Sequence, residues 1–180
     1  METSQYCQSF PPVAAPNAKV LILGSMPGVA SLQANQYYAH PRSAFWKIMT
    51  DLLNIPADAT YHQRTDALKG HQIALWDVMQ ACIREGSLDT DIEEDSIVPN
   101  DFASFLDTHI NVNRIFFNGA KAEKTFQKFV RPTLPESLNS LQLTRLPSTS
   151  PAHAAMSFEQ KLQAWKIVLP QSEHLRKIPT

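Results

Sequence analysis

The sequence predicts an α/β protein, a three-layer α/β/α sandwich on a central four-stranded, mostly parallel sheet. Two observations carry that expectation. Four short apolar runs each end at a polar or turn-forming residue, as strands buried on both faces do. Between them lie stretches whose apolar residues recur every three or four positions, as on the inner face of a helix.

Taken in order, a proline-rich lead-in (Phe10, Pro11, Pro12) precedes the first run, residues 19–24. A helical pattern over 43–53 places Phe45, Ile48, Met49, Leu52 and Leu53 on one side. The second strand is read at 73–78 and the third at 114–119. A helix over 120–130 would turn Ala122, Phe126 and Phe129 inward. The fourth strand is read at 141–146, and a last helix over 158–169 would bury Leu162, Trp165 and Leu169. No internal repeat or long linker divides the 180 residues, so one domain over 1–180 is expected.

The formal net charge is -1, which argues against a protein that coats nucleic acid through many phosphate contacts. It leaves room for one that grips a few phosphates locally. Residues 85–95 are acidic, whereas Lys121, Lys124, Lys128 and Arg131 would share one helix face. That face is either solvated or turned toward an anion. The chain has no apolar run long enough for a membrane span, and its N-terminus lacks the pattern of a secretory signal. Two cysteines, Cys7 and Cys82, fit a reduced cytoplasmic compartment. No paired histidine and carboxylate pattern suggests a metal site, so no metal and no cofactor are expected.

In an open parallel sheet, ligands bind beyond the carboxyl ends of the strands. Here those ends carry Gly24-Ser-Met-Pro-Gly28, Asp77, Asn118-Gly119 and Pro147-Ser-Thr-Ser-Pro151. Each loop alone is weak evidence, because strands end in such residues for turn reasons too. Together they mark one rim as a candidate site.

Five segments carry a more specific signal. Val20-Leu-Ile-Leu-Gly-Ser-Met-Pro-Gly28 followed by Tyr37-Tyr-Ala-His-Pro-Arg-Ser-Ala-Phe-Trp46 resembles the uracil-DNA glycosylase superfamily, and within it the hypoxanthine-DNA glycosylases. Ala74-Leu-Trp-Asp-Val78, Ile115-Phe-Phe-Asn-Gly-Ala-Lys121 and Leu146-Pro-Ser-Thr-Ser-Pro-Ala-His153 agree in order and spacing. The resemblance spans about Phe10 to Trp165. It implies a monofunctional enzyme that flips a deaminated base (hypoxanthine, with uracil or xanthine as alternatives) out of double-stranded DNA. The enzyme then hydrolyses the N-glycosidic bond and leaves an abasic site.

That resemblance assigns roles. Gly24, Ser25, Met26, Pro27 and Gly28 would form the base-binding loop, with Tyr38 stacking on the base and Phe45 among the base-binding residues. Most branches have Asp or Asn before the loop proline to position water, where this chain has Met26. The hypoxanthine branch uses an Asn after His-Pro-Arg, where this chain has Ser43. Ser43 and His40 are therefore the catalytic candidates. Ser43 serves equally as a helix N-cap, and His40 as a structural histidine. Asp77 and Asn118 fall at base-reading positions. An ionised Asp77 would accept from N1–H of hypoxanthine, which adenine lacks, or it caps the segment that follows. Lys121, Lys124, Ser148, Thr149, Ser150, Pro151, Ala152 and His153 are the candidate DNA contacts. Relatives that carry an iron–sulfur cluster need four cysteines, so none is expected here. A monomer is expected. A binder of damaged DNA without catalysis, on the same fold, is the competing reading.

Overall fold

The computed structural model describes residues 5–170. Their strands are β1 (Gln5–Gln8), β2 (Val20–Gly24), β3 (Ile73–Asp77), β4 (Met79–Arg84), β5 (Val98–Pro99), β6 (Arg114–Asn118) and β7 (Gln142–Leu146). The helices are α1 (Val29–Ala34), α2 (Phe45–Leu53), α3 (Tyr61–Gly70), α4 (Phe102–Thr108), α5 (Ala120–Thr125) and α6 (Phe158–Trp165). The four expected strands form one all-parallel sheet in the order β3-β2-β6-β7.

Side chains on a strand alternate between faces, and here each face has its own core. Val20, Ile22, Ile73, Leu75 and Phe116 pack with α2, Leu68 of α3 and Trp165 of α6. Leu21, Leu23, Ala74, Ile115 and Phe117 pack with Phe102, Phe105 and Leu106 of α4 and with Ala122 and Phe126. Helices on both faces explain why every residue of β2 and β3 is buried. The outer edge of β3 is closed by Val13, which exchanges two backbone hydrogen bonds with Leu75 (2.9 and 2.8 Å). That closure leaves β3 no open edge at this point for another chain to pair with.

Besides α1, α3 and α4, which the sequence reading did not include, the structure departs from it at three places. A second, antiparallel sheet β1-β4-β5 was not expected. Its strand β4 begins one residue after β3 ends, so the two merge in sequence. It covers a third core of Cys7, Met26, Met79, Cys82, Ile92 and Ile97. The helix expected over 120–130 is α-helical only to Thr125 and continues as a π-turn over Phe126–Val130. The wider turn shifts the helical phase, so Val130 is buried in the second core while Phe129 lies half-buried against the third. The helix expected from residue 43 starts at Phe45, with Ala44 as its cap residue and no side-chain cap.

Candidate active site

Beyond the carboxyl ends of the four parallel strands lies a cavity of about 620 Å³. Gly24, Ser25, Met26, Pro27 and Gly28 line it, with Tyr38, His40, Ser43, Asp77 and Asn118. Ser148, Thr149, Ser150, Pro151, Ala152 and His153 complete that part of the wall. The strand-end loops thus meet as topology requires. Among the described residues, no cluster of three His, Cys, Asp or Glu groups is arranged to hold a metal.

Tyr38 is held in a left-handed backbone conformation (φ 57°), uncommon for a residue with a bulky side chain. Its neighbours fix it there. The N–H of Tyr37 donates to Tyr61 Oη (3.1 Å), the Trp46 indole donates to the Tyr37 carbonyl (2.8 Å), and the N–H of Ala39 donates to Ser31 Oγ (3.1 Å). The ring of Tyr38 stacks on Phe45, with centroids 4.0 Å apart. Phe45 itself is fully buried and does not reach the cavity, which corrects its expected place among base contacts: it is the floor beneath Tyr38.

Asn118 lines the cavity with both amide hydrogens and one lone pair of its oxygen engaged. Nδ2 donates to Tyr38 Oη (3.1 Å) and Thr149 Oγ1 (2.9 Å), and Oδ1 accepts from the N–H of Thr149 (2.9 Å). That pattern fixes the amide's orientation and leaves little capacity to read a base. Asn118 therefore joins the tyrosine platform to the last loop. The same loop is tied to the start of α2, where the N–H of Ala44 donates to the Thr149 carbonyl (3.0 Å). Gly119 closes the join with φ 93°; a Cβ there would lie 3.1 Å from Ser148 Cβ. Ser148 and Ser150 accept from the N–H groups of Ser150 and Ala152 (both 3.2 Å), which pre-shapes the turn.

Asp77 is 3% exposed, and its Oδ2 accepts no hydrogen bond from the described residues. Burial, aided by the nearby charge of Asp89 and opposed by Arg84, pushes its carboxyl up to about 8. It is therefore mostly neutral near pH 7. Gly24, its register partner on β2, makes room for it: a Cβ on Gly24 would lie 2.5 Å from Asp77 Oδ1 and 2.9 Å from Tyr38 Oη.

Ser43 is nearly buried, and its Oγ lies 3.4 Å from the N–H of Phe45, a long contact at the first turn of α2. This interaction stands in for the expected N-cap, and among the described residues the hydroxyl proton has no acceptor. His40 accepts from the N–H of Arg42 through Nδ1 (3.0 Å), so a neutral ring carries its proton on Nε2. Met26 is buried and packs into the third core.

Two expected DNA contacts, Lys121 and Lys124, stand outside the cavity wall. Lys121 pairs with Glu94 (2.6 Å), as does Lys128 (3.3 Å), and neither Lys121 nor Lys124 lines the cavity. Glu94 of the acidic segment holds Lys121 and Lys128. That segment also supplies a wall that sequence reasoning missed, made of Ser87, Leu88, Asp89 and Thr90. Two hydrogen bonds tie it to the first loop and the start of α1, and a third, from Arg84 of β4, braces the same loop. Ser25 Oγ donates to Asp89 Oδ1 (2.7 Å), the N–H of Val29 donates to Ser87 Oγ (2.9 Å), and Arg84 donates to the Pro27 carbonyl (2.6 Å). Arg42, also missed, lines the cavity with an exposed side chain.

A family model described as the uracil DNA glycosylase superfamily matches residues 11–169. Two curated proteins are similar, hypoxanthine DNA glycosylases from Methanosarcina barkeri and Methanosarcina acetivorans. They are 40% and 38% identical over 116 and 117 residues, which is 64% of this chain and 72% of each relative. A chain from Methanosarcina acetivorans, solved by solution NMR and described as a candidate uracil DNA glycosylase, superposes with a TM-score of 0.76. It is 31% identical, over 96% of this chain and 100% of that one.

Proposed function

The chain belongs to the uracil DNA glycosylase superfamily, and from that premise we propose that it removes a deaminated base, hypoxanthine foremost, from duplex DNA by hydrolysing the N-glycosidic bond. The observation that carries this reading is the buried, unpartnered Oδ2 of Asp77 at the cavity of four converging strand-end loops. A buried polar atom without a partner costs free energy, and a base edge would supply the missing hydrogen bond.

In its neutral form, the Asp77 carboxyl accepts from N1–H of hypoxanthine and donates to O6, meeting both atoms of the lactam edge. The acceptor-only pairing expected from sequence applies to the ionised form. A neutral carboxyl also matches the N1 and N6 edge of adenine, so hydrogen-bond polarity at Asp77 rejects adenine only when the group is ionised. Tyr38, stiffened by Phe45 behind it, offers a stacking surface of the kind worth roughly 1–3 kcal/mol per base. The N–H groups of Thr149, Ser150, Ala152 and His153 are spent within the fold, so the pre-shaped loop 148–153 offers the hydroxyls of Ser148 and Ser150 to the phosphates on either side of the flipped nucleotide. Ser43, whose hydroxyl proton is uncommitted, and His40, whose Nε2 carries one, are the groups of the Tyr37–Trp46 motif that would meet the water and the sugar.

The test is single-turnover release from duplexes carrying one hypoxanthine, uracil or xanthine, read as alkali-labile breaks. The expected result is release of hypoxanthine, lost in Ser43→Ala and raised in Ser43→Asn. Tight binding of the hypoxanthine duplex with no base released would make the chain a reader of damage instead.

A further inference from the structure

The mechanism above needs an anion where the sugar becomes cationic, and the motif residues do not supply one. Met26 is buried and apolar, Ser43 is neutral, and Asp77 is held mostly protonated by burial. Resting on the proposed glycosylase reading, we propose that Asp89 is a further catalytic residue. Its carboxylate faces the deoxyribose, stabilises positive charge at C1′ and orients the attacking water.

The geometry favours Asp89 over the other acids of its segment. Glu94 is turned outward to Lys121 and Lys128, whereas Asp89 lines the cavity. Ser25 donates to Oδ1 at 2.7 Å, which orients the carboxylate and leaves Oδ2 for water. Among the described residues, no lysine, arginine or histidine forms an ion pair with Asp89, so its charge is not cancelled at contact distance. The charged and titratable groups that act on it through space are Asp77, Tyr38, Cys82, Arg84 and Lys121; burial pushes its carboxyl up, opposed by the Ser25 hydrogen bond and by Arg84 and Lys121, which favour the charged form. The carboxylate is also held in place before substrate arrives. Arg84, fully buried, bridges the carbonyls of Gly86 (2.8 Å) and Pro27 (2.6 Å), and Ser87 receives the N–H of Val29 (2.9 Å). Fixed charge aimed at a developing charge is the arrangement that lowers a barrier most.

In the step, the C1′–N9 bond breaks and its electron pair leaves with the base. A water oxygen bonds to C1′, and the water proton passes to Asp89. The base anion takes up a proton from solvent, and Asp89 returns its own to solvent. The products are an abasic sugar and neutral hypoxanthine, with no other reactant.

The experiment compares wild type, Asp89→Asn and Ser25→Ala in single-turnover release from a hypoxanthine duplex across pH 5–9. Duplex affinity is measured alongside. Asp89→Asn keeps the contact to Ser25 and removes only the charge. The expected result is a rate lowered roughly 100-fold or more, duplex affinity equal to or tighter than wild type, and loss of the acid limb of the pH profile. Ser25→Ala should keep that limb with a smaller loss of rate. An active wild type with Asp89→Asn within threefold of it overturns the role of Asp89 and leaves the glycosylase reading standing. An inert wild type overturns both.

Discussion

Burying a carboxylate costs free energy that depends on pH, and Asp77 makes that cost measurable. An unfolded aspartate ionises near 3.9, whereas in the fold burial raises this one to about 8. The folded state therefore binds more protons between those values, and stability falls as pH rises through that window. The slope is about 1.4 kcal/mol per pH unit, levelling off above the folded value. Asp77→Asn removes the titration and keeps the shape. Its stability relative to wild type should climb between pH 5 and pH 8, as read by urea unfolding at the two pH values. A constant difference would mean that Asp77 is ionised in the fold. Gly24 belongs to the same contact. With a Cβ only 2.5 Å from Asp77 Oδ1, Gly24→Ala must displace the carboxyl or the Tyr38 hydroxyl. Overpacking of this kind costs about 1–3 kcal/mol. The expected readout is a lower urea midpoint, and an unchanged midpoint would show that the carboxyl moves freely.

At the scale of elements, β4 and the segment after it complete the cavity, and Arg84 is the pin between them. Its guanidinium is fully buried, donates to two backbone carbonyls and, among the described residues, has no partner for Nη1. Charged hydrogen bonds are worth about 1.5–3 kcal/mol each, so Arg84→Ala should destabilise the fold by roughly 3 kcal/mol or more. Arg84→Lys should rescue little, because one ammonium cannot reproduce the fork that spans Pro27 and Gly86. Urea unfolding measures both variants; full rescue by lysine would show that charge alone matters. None of this was legible in the sequence. β1 has four residues and β5 two, and β4 follows β3 after Val78 alone, so no separate period is visible. The main sheet was legible because β2, β3 and the centre of β6 are apolar runs buried on both faces, which resemble little else; β7, at the sheet edge, is only partly buried. The motif residues met at one cavity because parallel strands place their carboxyl ends together. Asp89 escaped notice because an acidic run reads as solvated surface until a partner such as Ser25 is seen. The pairing of the lysine stripe was not legible for the matching reason: helical spacing shows which residues share a face, not that Glu94 approaches that face from another element.

The charge distribution of the whole molecule bears on how it would hold a duplex. A net charge of -1 supplies no long-range attraction, so affinity must come from a few contacts near the cavity. Lys121 and Lys128 share the one carboxylate of Glu94, with Lys121 the closer, whereas Arg42 at the cavity wall makes no ion pair among the described residues. Each phosphate neutralised contributes about 0.9 to the slope of log affinity against log salt. A protein gripping about three phosphates should therefore show a slope near -3, shallow for a DNA-binding protein. Arg42→Ala should reduce that slope by about one and weaken binding to damaged and undamaged duplexes alike, since a phosphate contact carries no sequence information. Lys121→Ala should leave the slope unchanged, because the ion pair with Glu94 already cancels its charge. Fluorescence anisotropy across a salt series separates the two. If Lys121→Ala flattens the slope and Arg42→Ala does not, the duplex lies across α5, and the lysine stripe is the DNA-binding face after all.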